Sequence, residues 1–149
     1  FWLIFGIAPS QMISLKEREY QAEKAPAIRV FDVYVGRKEL VSFTGFYHWA
    51  IKIGNVWYEI KGASVGNSNQ PNIINITGSI DHPCPQAASG VTETVLVGRV
   101  KCAICDCEEL MEKWLKEHPT YNMLGDNCQK FVRDVFKELR DLYGVPAHA

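Results

Sequence analysis

The run "GFYHWAIKIGNVWYEIKG" at residues 45–62 constrains the fold more than any other segment. Two stretches rich in aromatic and β-branched residues, which favour extended backbone, flank the dipeptide Gly54-Asn55. Gly and Asn tolerate the positive φ that a two-residue hairpin turn demands, so the pattern predicts a β-hairpin. A turn of that length sets the register: Ile53 faces Val56, Ile51 faces Tyr58, and Ala50 faces Glu59. Successive side chains of a strand point to opposite faces, so Trp49, Ile51 and Ile53 share one face and His48, Ala50 and Lys52 the other. Glu59 falls on the His48 face, diagonally across from it and within reach of a long side chain.

A second segment carries chemistry. In "YNMLGDNCQKFVRDVF" and the residues after it, Phe131, Val132, Val135, Phe136, Leu139 and Leu142 recur at helical spacing. Asp126 or Asn127 suits the N-cap, Gly144 the stop, and Pro146 lies just beyond. Cys128 then sits in the first turn, where unsatisfied N–H groups and the helix dipole favour an anion. A thiolate is such an anion and is the nucleophilic form of cysteine. The alternative is a small hydrophobe packed under the turn. A nucleophile needs a base, and of the four histidines His48 has the strongest context. His148 is next to the C-terminus, His118 stands beside Pro119, and His82 lies in the Pro-rich "DHPCP".

A strand beginning "HWAI", a Gly-Asn turn, and much later "NCQKFV" opening a helix together resemble the circularly permuted papain-like thiol enzymes. That clan includes the NlpC-type peptidases, the lecithin:retinol acyltransferase-like proteins and the PPPDE isopeptidases. In its permuted members the histidine strand precedes the cysteine helix, as here, and the similarity spans roughly residues 28 to 146. "HWAI" and the Asn-Cys-polar-x-Phe helix start favour the acyltransferase-like branch; "VFDVYVG", "VLVGRV" and "YGVP" are as similar to the PPPDE branch. The resemblance implies that His48 takes the proton of Cys128 and that the thiolate attacks an acyl carbonyl. A thioester then passes to water or another acceptor. The backbone N–H of Cys128 is the natural oxyanion donor, with Gln129 and Tyr121 as auxiliary candidates; no cofactor is expected.

One departure stands out. In the acyltransferase-like pattern the returning hairpin strand brings a second histidine to the site, and "NVWYEIK" has none. Glu59 matches that histidine in space, one position early in sequence, and a carboxylate can orient an imidazole. Its alternative is an exposed carboxylate facing Lys52 or Lys61, which would leave a Cys-His dyad as in the PPPDE branch.

With 149 residues, 47% hydrophobic and 22% charged, the chain suits one domain with a real core. A net charge of −1 gives no electrostatic footprint for nucleic acid. Further strands are predicted at "AIRVFDVYVG", "IINITG" and "VTETVLVGRV", and a helix at "DCEELMEKWLKEH" with Leu110, Met111, Trp114 and Leu115 on one side. "ASVGNSNQPN" and "SIDHPCPQAASG" read as irregular stretches. The expected fold is α+β, a small antiparallel sheet packed on two or three helices, permuted papain-like over residues 28–149. An arm at residues 1–27 precedes it.

That arm opens "FWLIFGIA", without a leading methionine, so the chain reads as a fragment or a processed product. Eight apolar residues are too few to cross a bilayer, which takes roughly 20. The arm is expected to cover the core, with a signal-peptide remnant or a membrane-surface or protein-docking anchor as alternatives. "CAICDC" supplies Cys102, Cys105 and Cys107, which read as packed free thiols rather than a zinc site that His82 or Cys84 would have to complete. Asn75 in "NIT" fits a glycosylation acceptor. The cytoplasm is favoured as compartment, membrane association or secretion being the alternatives.

Three functions follow. The first is a thiol hydrolase or acyltransferase whose substrate is an acyl-bearing lipid, protein or peptide, including an isopeptidase of the PPPDE type. The second is a binding module that kept the fold without turnover. The third is a structural component docked through its apolar arm.

Overall fold

A computed structural model describes residues 27–39, 47–62, 71–120 and 128–146. Five strands and two helices follow in chain order: β1 (Arg29–Glu39), β2 (Tyr47–Ile53), β3 (Val56–Gly62), β4 (Asn72–Thr77), β5 (Val95–Cys102), α1 (Ile104–Glu117) and α2 (Cys128–Tyr143). The strands form one antiparallel sheet in the order β4-β3-β2-β1-β5. The protein is thus an α+β fold, a small antiparallel sheet packed on helices.

The hairpin has the register its turn requires: Ile53 pairs with Val56, Lys52 with Trp57, and Ile51 with Tyr58. Gly54 has φ 60°, the left-handed conformation that glycine adopts at little cost, and Phe31 closes over it. Alternation then gives the sheet two different faces. Ile51, Ile53, Tyr58 and Ile60 join Phe31, Val33 and Val100 under the helices, where Met111, Trp114, Phe131, Val135 and Leu139 complete the main core. On the opposite face Ala50 and Trp57 pack against Ala87 and Val91 from the irregular stretch before β5.

Amphipathic spacing explains both helices. Phe131, Val132, Val135 and Leu139 of α2 are buried, whereas Leu142, expected on the same face, is 58% exposed and the neighbouring Tyr143 packs against the core in its place. Gly144 ends α2 as predicted; a Cβ there would lie 2.5 Å from the Arg140 carbonyl oxygen that accepts the Gly144 N–H. Helix α1 begins two residues before the predicted "DCEELMEKWLKEH", at Ile104, because the Asp106 carboxylate reaches back to accept the Ala103 N–H at 3.0 Å. Its buried side is Ile104, Cys107, Met111 and Trp114, with Leu110 and Leu115 packed at the margin. Between the helices, Trp114 meets Phe131 edge-on at 5.2 Å and donates its indole N–H to Asp134 at 3.0 Å.

One strand starts later than "VTETVLVGRV" suggests. The chain turns back through Ala87–Val91, with the Ala87 N–H donating to the Val91 carbonyl at 2.8 Å, so Val91 serves the second face and β5 begins at Val95. β-Branched residues suit the extended backbone of a strand and of this doubled-back loop equally. The arm at 1–26, the candidate caps Asp126 and Asn127, Tyr121 and His148 lie outside the described residues.

Candidate active site

Cys128, His48 and Glu59 converge where two strands part. The ladder between β2 and β3 ends at Ile51–Tyr58. Beyond it β2 stays with β1 as far as Tyr47–Glu39, while β3 stays with β4 as far as Gly62–Asn72. In a two-residue hairpin the pairs nearest the turn alternate between hydrogen-bonded and non-bonded, which aims the Trp49 N–H towards β3. In an uninterrupted ladder that N–H would meet Ile60. It instead donates to Cys128 Sγ at 3.3 Å, and the thiol approaches the Tyr47 carbonyl at 3.7 Å. The first residue of α2 therefore occupies a vacated rung of the sheet, and Cys128 is only 3% exposed.

Directly between Tyr47 and Trp49 stands His48. Its Nε2–H donates to Glu59 Oε1 at 2.6 Å. The second oxygen of Glu59 accepts the Ser89 N–H at 3.2 Å, and the residue is 1% exposed. The exposed-carboxylate alternative thus does not hold: Lys52 pairs with Glu93, not with Glu59. Glu59 also shares its face with Trp57, which packs on Ala50 beside His48, as the hairpin register demands.

Electrostatics follow from this arrangement. Burial opposes a charge on His48, but hydrogen bonds and attraction from Cys128 and Glu59 prevail and push the imidazole up to about 9. Burial likewise works against the Glu59 carboxylate, and the bonds from His48 and Ser89 outweigh it, holding it below the ordinary value. The site thus favours an imidazolium held between a carboxylate and a sulfur.

No family model, curated protein or solved structure matches this chain.

Gln129 is placed next to the site, with its side-chain N–H donating to the Tyr47 carbonyl at 3.3 Å, so it fastens α2 to β2. Ser89 was not legible as a site residue. Its signal lies in "AASG", where Gly90 at φ 93° and a Gly90 N–H bond to Ala87 close a tight turn that aims the Ser89 N–H at Glu59. His82 and His118 serve local structure. His118 caps α1, stacked on Trp114 at 4.2 Å, and His82 closes a turn with Ser79. Among the described residues no three His, Cys, Asp or Glu side chains gather as metal ligands.

Proposed function

We propose that the protein is a cysteine-dependent acyl hydrolase or acyltransferase of the permuted papain-like kind, working through a thioester on Cys128. The observation that carries this is the linked set of Cys128 Sγ, His48 and the buried Glu59, joined by the 2.6 Å His48–Glu59 bond. With Nε2 committed to Glu59, Nδ1 is the nitrogen left to exchange a proton with the thiol. Cys128 attacks the carbonyl of an ester or amide as the thiolate, with His48 as imidazolium. The developing oxyanion turns to the N–H groups at the start of α2, where the helix dipole also favours negative charge. His48 then gives its proton to the leaving group, and afterwards activates water or an acceptor to resolve the thioester. Glu59 orients the ring and stabilises its charged form throughout.

An apolar cavity of about 340 Å³, walled by Val35, Trp49, Val97, Val132 and Phe136 with Arg37 and Arg133 at its border, lies between α2 and the helix-packed face of the sheet. Trp49 is the link between them: it lines the cavity, and its backbone N–H bonds the thiol, while Cys128, His48 and Glu59 are not among the lining residues. This favours a substrate with an apolar acyl part over the extended protein tail an isopeptidase requires.

The test is a p-nitrophenyl ester of a medium-chain fatty acid. The reading expects a burst of nitrophenol and a mass increase of one acyl group on Cys128, both lost in Cys128→Ala. Acylation spread over several cysteines, or nitrophenol release unaffected by Cys128→Ala, would overturn it. Cleavage of a modifier–lysine isopeptide by a protein inert towards esters would instead establish the isopeptidase reading.

A further inference from the structure

Two thiols lie deep in the main core, apart from the site above. Cys102 ends β5 and Cys107 stands in the first turn of α1, 3% and 0% exposed. Ala103, in extended conformation, turns the chain between them so that strand end and helix start face each other. Their sulfurs are 3.5 Å apart. Cys128, by contrast, has its sulfur against Tyr47 and Trp49.

We propose that Cys102 and Cys107 form a redox site, joined by a reversible intrachain disulfide when the protein meets hydrogen peroxide. A disulfide spans about 2.05 Å, so closure needs about 1.5 Å of sulfur movement, within the range of side-chain rotation at a junction already in contact. Peroxide is small enough to reach thiols closed to larger reagents. The two thiols also differ in character. The hydrogen bond from Cys107 holds Cys102 below the ordinary thiol range, while that same bond, burial and neighbouring negative charge push Cys107 up.

Cys102, at the strand end and the one of the two with any exposed surface, is the sulfur that attacks peroxide. The O–O bond breaks, leaving a sulfenic acid on Cys102 and releasing water. Cys107 then attacks that sulfur, its proton leaves with the hydroxyl group as a second water, and the S–S bond forms. Two thiols are oxidised by two electrons and one peroxide is reduced to two waters. The bond ties β5 to the helix turn carrying Glu108, whose carboxylate accepts the Tyr58 hydroxyl at 2.7 Å next to Glu59 in the sequence of β3.

Trypsin cleaves after Lys101 and Lys113, so the peptide between them holds Cys102, Cys105 and Cys107 together. Reduced protein is treated with peroxide, quenched in acid, unfolded, alkylated with iodoacetamide and digested. The expected peptide is lighter by two hydrogens and carries a single alkyl group, on Cys105; reduction before alkylation restores three. Three alkylated cysteines after peroxide, or fragment ions placing Cys105 in the bond, overturn the proposal. In Cys107→Ser, Cys102 should stop at the sulfenic acid, trapped by dimedone present as the peroxide-treated protein is unfolded; a disulfide still formed within the peptide excludes Cys107 as the partner. Should that variant not fold, Cys105→Ser at a half-exposed position must still lose two thiols to peroxide, and retention of all its thiols counts equally against the site.

Discussion

At the scale of the residue, the unusual feature is a nearly inaccessible carboxylate that stays charged. Burial alone would favour the neutral acid, and Glu59 is held below the ordinary range because both oxygens are used, one by His48 and one by Ser89. Glu59→Gln keeps the shape and removes the charge. We expect the rate of thioester formation to fall on the order of 10- to 100-fold, and NMR titration to show His48 moving down from about 9. Glu59→His, the arrangement the resemblance suggests, should retain more activity than the Gln variant. An unchanged rate in Glu59→Gln would reduce the site to a dyad. His48→Ala should cost on the order of 100-fold or more with circular dichroism preserved, since His48 belongs to neither hydrophobic cluster; wild-type ester turnover in that variant would remove His48 as the base. Glu59 was legible because a turn length and a period of two place it. Ser89 was not, because it serves through its backbone N–H, which any residue type supplies.

Elements are placed by rules of differing strength. The hairpin is the strongest, since Gly54 takes a positive φ and every pairing up to Ile51–Tyr58 follows from it. Gly54→Ala would strain that turn and bring a Cβ to 2.7 Å from the Phe31 ring. We expect a loss of about 1–2 kcal/mol in urea unfolding, the cost of forcing an L-residue into left-handed backbone. A variant as stable as the parent would show that the turn is not held in that conformation. Helix α2 was legible from its apolar repeat and the Gly144 stop, whereas the start of β5 was not. The run from Val91 into β5 is rich in β-branched residues throughout, and only the packing of Val91 on Ala50 and Trp57 separates loop from strand.

At the scale of the whole molecule, the site links stability to pH. His48 is raised in the folded state from 6.5 to about 9, so its contribution is complete below 6.5 and is lost as pH rises through about 9. The size is up to about 3 kcal/mol, from about 1.4 kcal/mol per pH unit. Glu59, lowered, contributes above its ordinary 4.5 and loses that contribution as pH falls through its folded value. Denaturation at a series of pH values should therefore show stability declining between 6.5 and 9 in the parent and much less in His48→Gln; parallel profiles would show that His48 is not the source of the decline. Cys107 and Tyr58, both raised, weaken the fold only above their ordinary 9 and 10, and Cys102, lowered, adds stability as pH rises towards 9 equally in parent and variant, so the difference between the two profiles belongs to His48. Sequence by itself determined what is local and periodic: the hairpin register, the amphipathic helices, the placing of His48 and Glu59 on one face, and a cysteine at a helix start. Tertiary structure alone decided that β2 and β3 part after Ile51, that Cys128 fills the vacated rung, and that the Ala87–Val91 turn brings Ser89 to Glu59. The physical reason is that spacing within a segment is written in its own residues. The divergence of two strands depends instead on which distant groups compete for their backbone hydrogen bonds.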